Sequence, residues 1–252
     1  MNGVSQILLK TIADLQKLPS LKDSSLGGGT NLAIRYGHRK SIDIDLFFSG
    51  IIGKSGFESV VKDVKGFYGG NVSGMSFPCD EDDQYIFLRF FVKSNDELIK
   101  VEIIQNMLML DPPEELYGLR LLTQRDIGLL KLMTAANRAN FKDIFDLDYL
   151  TDKIKLHELF NSLRFKQEKL NLEQHKNIFD LDKEKTPIEF PELLLKFETP
   201  THVNQSRPNH SHTRIEIVEG SKSWIQARSS WRKKVRQLFD TLGLEFPAPT
   251  AF

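Results

Sequence analysis

The chain has 252 residues, 40% of them hydrophobic and 27% charged, which suits a soluble globular protein of one large or two modest domains. Lys plus Arg equals Asp plus Glu at 34 each, so any binding to RNA or a triphosphate must come from a local patch rather than from global charge. The single Cys79 excludes an internal disulfide and fits a reducing compartment.

Met1 to Lys17 reads as an amphipathic helix, with Val4, Leu8, Thr11, Ile12 and Leu15 at helical spacing. It lacks the continuous apolar run of a signal peptide, and no later segment is long enough to span a bilayer. A cytoplasmic protein without a membrane partner is expected. A weak strand at Ser24 to Leu26 leads into Gly27-Gly28-Gly29 and a short helix from about Asn31 to Tyr36. Ser41 to Phe48 reads as a strand, Phe57 to Val64 as a helix, and Gly66 to Gly74 has no clear pattern. Tyr85 to Val92 and Leu98 to Ile104 read as two strands around a hairpin turn at Lys93 to Glu97. Asp111-Pro-Pro is a breaker, and helical periodicity dominates beyond it: Gln124 to Arg138, Asp143 to Lys153, a lysine-rich stretch to about Lys176, and Ser223 to Leu242. The expected fold is α/β (α+β). A domain with a mixed sheet would span residues 1–117, and a mainly helical one residues 118–252.

The chemistry concentrates in residues 26–47. Alternate residues of a strand share a face, so Asp43 and Asp45 would point together while Ile42, Ile44 and Leu46 face the core. Two carboxylates on one face repel unless a cation sits between them. Carboxylate oxygens suit Mg²⁺ (or Mn²⁺), which completes its shell with water and substrate phosphates. The glycine turn before a helix lets backbone N–H groups approach an anion. Thr30 would cap that helix or reach a phosphate oxygen, and His38, Arg39 and Lys40 would offset triphosphate charge. Together these features read as a site for a metal–nucleoside triphosphate. Glu102, on Lys100 to Ile104 with Val101 and Ile103 facing the other way, is a candidate third acid.

Farther along, Thr123 with Asp126 resembles a capping box opening a helix. Lys131, Thr134 and Arg138 share one side of that helix, and Leu129, Leu130, Leu132, Met133 and Ala136 form an apolar sector. Asp143 and Asp146, three residues apart, share a helix side. One of them would orient Lys131 or act as base towards an acceptor, and Arg138 would assist at the triphosphate or pair with one of the two.

Gly28-Gly-Thr-Asn-Leu-Ala-Ile34 followed by Gly37-His-Arg-Lys-Ser-Ile-Asp-Ile-Asp-Leu-Phe-47 resembles the signature of AbiEii/AbiGii-type nucleotidyltransferases, toxins of bacterial type IV toxin–antitoxin systems. Their fold belongs to the DNA polymerase β-like superfamily, marked by a Gly-Gly or Gly-Ser turn followed by Asp-x-Asp. A second block, Gly118 to Leu147, is similar to the family's lysine-bearing helix and its Lys/Arg-Asp-x-x-Asp-Leu segment. The resemblance implies that Asp43 and Asp45 bind metal, joined by Glu102 where the family often has Asp. It places Gly28, Gly29 and Thr30 in the nucleotide loop, makes Lys131 the helix lysine, and makes Asp143 and Asp146 the distal acids. Arg39, Ser41 and Arg138 join the nucleotide-binding set. The strand before the glycines is less apolar here than is usual in the family, and Asn31 stands where a small residue is common. The implied activity transfers a nucleoside monophosphate from an NTP to an RNA hydroxyl, at the tRNA 3′ end, in a toxin restrained by an antitoxin. A small-molecule acceptor, or a non-catalytic nucleotide- or RNA-binding module, are the alternatives.

Three further features carry less. Lys222 to Phe239 holds six basic residues and no acidic one, which suits either a solvated face or an RNA grip. His202, His210 and His212 fall in a polar stretch read as a loop. Asp80 to Asp83 reads as exposed charge.

Overall fold

The computed structural model describes residues 2–79, 83–95, 97–138, 140–181, 184–196 and 215–248. The three histidines named above and residues 80–82 lie outside this set. The first helix, α1 (Gln6–Lys17), starts where the Ser5 hydroxyl accepts the Leu8 N–H at 3.0 Å. It buries Leu8, Ile12 and Leu15. Next come β1 (Ser25–Leu26), α2 (Gly28–Tyr36), β2 (Ile44–Phe47), α3 (Gly53–Tyr68), β3 (Val72–Ser76), β4 (Phe87–Ser94) and β5 (Glu97–Ile104). A small hairpin, β6 (Glu114–Leu116) and β7 (Leu119–Leu121), precedes α4 (Gln124–Arg138), α5 (Phe141–Leu150), α6 (Leu156–Lys169) and α7 (Trp224–Leu242).

The seven strands form one mixed sheet in the order β3-β4-β5-β2-β1-β7-β6. Strand β2 runs parallel to β5, with Asp45 beside Glu102, and antiparallel to β1. Two apolar cores flank this arrangement. One packs Ile12, Leu15, Phe57 and Val60 of α1 and α3 with Ile44, Leu46, Leu88 and Val101 of the sheet. The other joins Ile127, Leu132, Ile144, Leu147, Leu159, Trp231 and Val235 of α4 to α7. It also includes Leu32 of α2 and Phe47 of β2, so the helical region is fastened to the glycine turn and the acidic strand. Burial of this apolar surface is the main force holding the two parts together.

The mixed sheet followed by helices matches the expected fold class. Three details differ. Strand β3 begins inside the stretch that showed no pattern, because this edge strand carries Gly74 and two serines and only half-buries Val72 and Met75, which leaves no alternation. The hairpin β6–β7 was not expected. It straddles residue 117, and β7 pairs parallel with β1, Leu26 opposite Leu121, so the sheet continues past the anticipated division. Ile42, expected in the core, is 61% exposed, because β2 begins only at Ile44 and the alternation does not extend back to it.

Candidate active site

The glycine turn is built by close approach. The Gly27 N–H donates to the Asp45 carbonyl at 2.8 Å, pinning the turn to β2. Gly28 has φ +59°, and a Cβ there would lie 1.8 Å from the Asp45 Oδ2. A Cβ on Gly29 would lie 2.0 Å from an Arg39 guanidinium nitrogen, and one on Gly27 would strike the Phe47 ring. Only glycine fits at these points. Gly28 and Gly29 form the first residues of α2, whose leading N–H groups have no partner within the helix. Asn31, the departure from the small residue expected there, is fully buried. Its amide donates to the Leu26 and Leu122 carbonyls at 2.8 and 2.9 Å, tying the ends of β1 and β7 together.

A cleft of about 380 Å³ opens beside this turn. Gly28, Gly29, Arg39, Ser41, Asp43, Asp45, Glu102, Lys131, Arg138 and Asp143 all line it, together with Thr134 and Lys142. Asp43 and Asp45 thus share one face although Asp43 precedes the strand. Burial and the adjacent Glu102 carboxylate raise the Asp45 pKa to about 7, against the pull of Lys100.

Thr30 and Asp146 are placed otherwise than expected. Thr30 is buried, and its hydroxyl donates to the Asp43 carbonyl at 2.5 Å and pairs with the Ser41 hydroxyl at 2.8 Å, from which it accepts. It shapes the loop that carries Asp43 and does not line the cleft. Asp146 does not line it either. It is fully buried and accepts from Arg39 Nε at 2.6 Å, Arg39 Nη2 at 2.8 Å and His38 Nε2 at 2.8 Å, with Lys131 Nζ at 2.8 Å. Burial opposes its charge, but Arg39 and Lys131 outweigh this and hold the carboxyl well below the usual range. Asp146 thus lies behind the cleft wall, tied to Arg39, His38 and Lys131, and does not face the cleft. Arg39 borders the cleft with its guanidinium committed to Asp146.

Lys131 is bracketed by Asp143 at 2.6 Å and Asp146 at 2.8 Å. Burial works against its charge, yet the two acids raise its pKa above the ordinary lysine value. Arg138 pairs with neither acid; its guanidinium carbon sits 6.0 Å from the Phe179 ring centroid. Asp126 accepts the Leu110 and Asp111 N–H groups, and the Thr123 hydroxyl accepts the Asp126 N–H, so the capping residues anchor α4 to the preceding loop.

Sequence reasoning missed several residues. Lys142 lines the cleft, and burial followed by the nearby Arg39 charge lowers its pKa. It stands next to Asp143 in the second block, so its position was readable. Arg89 and Lys100 hold Glu102: Arg89 Nε and Nη2 donate to Oε1 at 2.9 and 2.5 Å, and Lys100 Nζ donates to Oε2 at 3.2 Å. Lys100 lies two residues before Glu102, hence on the same strand face. Lys222, just before α7, and Lys234 on it both pair with Asp148 and Asp152 at 2.6–2.9 Å, while Arg236 of α7 lies 4.3 Å from the Phe246 centroid. Much of the basic helix face is thus already neutralised or stacked.

The hard oxygens of Asp43 and Asp45 fit a Mg²⁺ ion that keeps water and phosphate ligands. Glu102, as placed, does not fit as a third ligand, because Arg89 and Lys100 engage its oxygens. Among the described residues no three His, Cys, Asp or Glu side chains gather closely enough to hold a metal.

Strand acids beside a main-chain amide turn, across a cleft from a helix lysine, are the layout of a nucleotidyltransferase. The sequence comparison agrees: the family described as nucleotidyl transferase AbiEii toxin, type IV toxin–antitoxin system, matches residues 10–240. The chain belongs to this family. No curated protein matches the sequence. Among solved structures, MenT4, a nucleotidyltransferase toxin of Mycobacterium tuberculosis H37Rv, is 14% identical with a TM-score of 0.45, covering 94% of this chain and 92% of its own. The Megavirus polyadenylate synthase is 12% identical with a TM-score of 0.35, covering 63% of this chain and 31% of its own. Among the described residues no helix is long and apolar enough to cross a membrane.

Proposed function

We propose that the protein moves a nucleoside monophosphate from an NTP to a hydroxyl of an RNA, the 3′ end of a tRNA. It would act with Mg²⁺ or Mn²⁺ in the cytoplasm, as a toxin held in check by a cognate antitoxin. The observation that carries the chemistry is the contact between the glycine turn and Asp45, so close that a Cβ on Gly28 would lie 1.8 Å from the carboxylate. Main-chain N–H groups suited to a phosphate and carboxylates suited to a divalent ion are thereby brought to one point. The RNA acceptor and the antitoxin rest on the family resemblance alone.

In this reading Gly28 and Gly29 receive the phosphates at the start of α2, where the helix dipole favours negative charge. Lys131, fixed by Asp143 and Asp146, and Lys142 supply positive charge along the cleft wall. Asp43 and Asp45 would hold the divalent ion, which when bound neutralises the triphosphate and polarises the α-phosphate. The acceptor hydroxyl attacks the α-phosphorus in line and gives up its proton to solvent, the bond to the β-phosphate oxygen breaks, and pyrophosphate leaves. Catalysis then rests on positioning and charge stabilisation. A non-catalytic binding module fits less well, since two unbridged carboxylates would repel the phosphates it must hold.

The test incubates the protein with each α-labelled NTP, Mg²⁺ and total tRNA, alongside the Asp45→Ala variant. Label on RNA with the wild type and none with the variant supports the reading. Binding without transfer under every NTP contradicts it, and transfer only to a small molecule replaces the acceptor.

A further inference from the structure

Charge compensation at the acids is already partly internal. Lys100 Nζ lies 3.2 Å from Glu102 Oε2 and 3.7 Å from Asp43 Oδ2, and its side chain is 16% exposed. Arg89 holds the other Glu102 oxygen. The parallel register of β2 and β5 sets Glu102 beside Asp45, and the charge of the ammonium also acts on Asp45. A lysine in such a position does electrostatically what a bound cation does: it lowers the repulsion among carboxylates gathered on one sheet face.

We infer that Lys100 is a built-in counter-ion of the acid cluster that competes with the divalent ion for Asp43 and Glu102. This rests on the assignment of Asp43 and Asp45 to a metal. Metal entry then has two stages of consequence. With a divalent ion held by Asp43 and Asp45, its double charge would repel the Lys100 ammonium, which would withdraw from Asp43 and Glu102. Withdrawal would take the ammonium off Glu102 Oε2, while Arg89 keeps Oε1 and the hydrogen bond between Glu102 and Asp45 remains. The third acid expected from the sequence would thus lose one of its competitors only once metal has displaced the lysine. The arrangement keeps the acid cluster partly neutralised when no metal–nucleotide is bound, and it sets the metal affinity lower than the carboxylates alone would give.

The experiment measures Mn²⁺ binding to the full chain by calorimetry and by the loss of the free-ion EPR signal, without nucleotide. Variants are Lys100→Met, Lys100→Arg and Asp45→Asn. Removing the competing charge in Lys100→Met should tighten Mn²⁺ binding about tenfold or more. Lys100→Arg, which keeps the charge, should stay near the wild type. Binding by Lys100→Met alone, with the wild type too weak to detect, supports the inference equally. Equal or weaker binding by Lys100→Met overturns it, as does absence of binding by both. Asp45→Asn separates the two levels. If it abolishes binding while Lys100→Met changes nothing, only the role of Lys100 fails. If it binds as the wild type does, the metal assignment itself fails.

Discussion

Replacing Asp146 by Asn isolates the electrostatic hub beneath the cleft. Arg39 donates to this carboxylate twice, at 2.6 and 2.8 Å, His38 once at 2.8 Å, and Lys131 lies at 2.8 Å, all around a side chain with no exposure. Asn preserves shape but removes the charge, and its NH₂ group faces donors where an acceptor is required. Breaking a buried pair from one side costs about 3–5 kcal/mol, because the surviving charges keep their burial without compensation. Lys131 retains Asp143 at 2.6 Å, which places the expected loss near the lower end, about 3–4 kcal/mol. Against a total stability of roughly 5–15 kcal/mol, that is a large fraction. Urea unfolding of the wild type and Asp146→Asn should show it as a lower midpoint at similar slope. The melting temperature should fall by about 6–16 °C, at roughly 2–4 °C per kcal/mol for a chain of this size. A loss below about 1 kcal/mol would refute the account of Asp146 as the buried counter-ion of Arg39 and Lys131.

Three further outcomes follow from the same geometry. The Asp146 pKa is depressed in the folded state, so its stabilisation is present above the unfolded carboxylate pKa of about 3.9 and is lost as pH falls through the lower folded value. The stability gap between wild type and Asp146→Asn should therefore be constant at neutral pH and shrink only under strong acid; a gap that closes already at pH 6 contradicts the assignment. Gly28→Ala places a Cβ at φ +59° against Asp45, so transfer activity should fall on the order of a hundredfold while near-ultraviolet circular dichroism stays native. Retention of full activity would show that the turn does not position Asp45. Lys142 has a lowered pKa and borders the cleft, so pyridoxal phosphate followed by borohydride should label it ahead of exposed lysines, and NTP should protect it. Even labelling across the surface, or labelling indifferent to NTP, would remove Lys142 from the phosphate path.

The parts of the site legible in the sequence are those that short-range rules govern. Alternation placed Asp43 and Asp45 on one side, and helical spacing put Lys131, Thr134 and Arg138 along one cleft wall, as the lining residues show. The glycines were legible as a turn. Their reason was not, because the close contacts to Asp45, Arg39 and Phe47 are tertiary. Thr30 looked like a phosphate ligand since a hydroxyl after glycines at a helix start often is one; only the fold shows its hydroxyl spent on Asp43 and Ser41. The pairing of Asp146 with residues more than a hundred positions earlier leaves no local signature. The strands β6 and β7, three residues each, are too short for periodicity to report; β7 forms on the edge that β1 offers, and β6 pairs with β7 in turn.

In the proposed reaction Asp43 and Asp45, set against the glycine turn, direct attack on the α-phosphorus. The most direct measurement supplies tRNA with the same nucleotide labelled in parallel at the α- and the γ-phosphate. The account predicts that the α-label becomes covalently attached to RNA, that the γ-label appears in pyrophosphate, and that Asp43→Asn and Asp45→Asn abolish both. Arrival of the γ-label on the acceptor, or its release as free phosphate with no α-label incorporated, would contradict it.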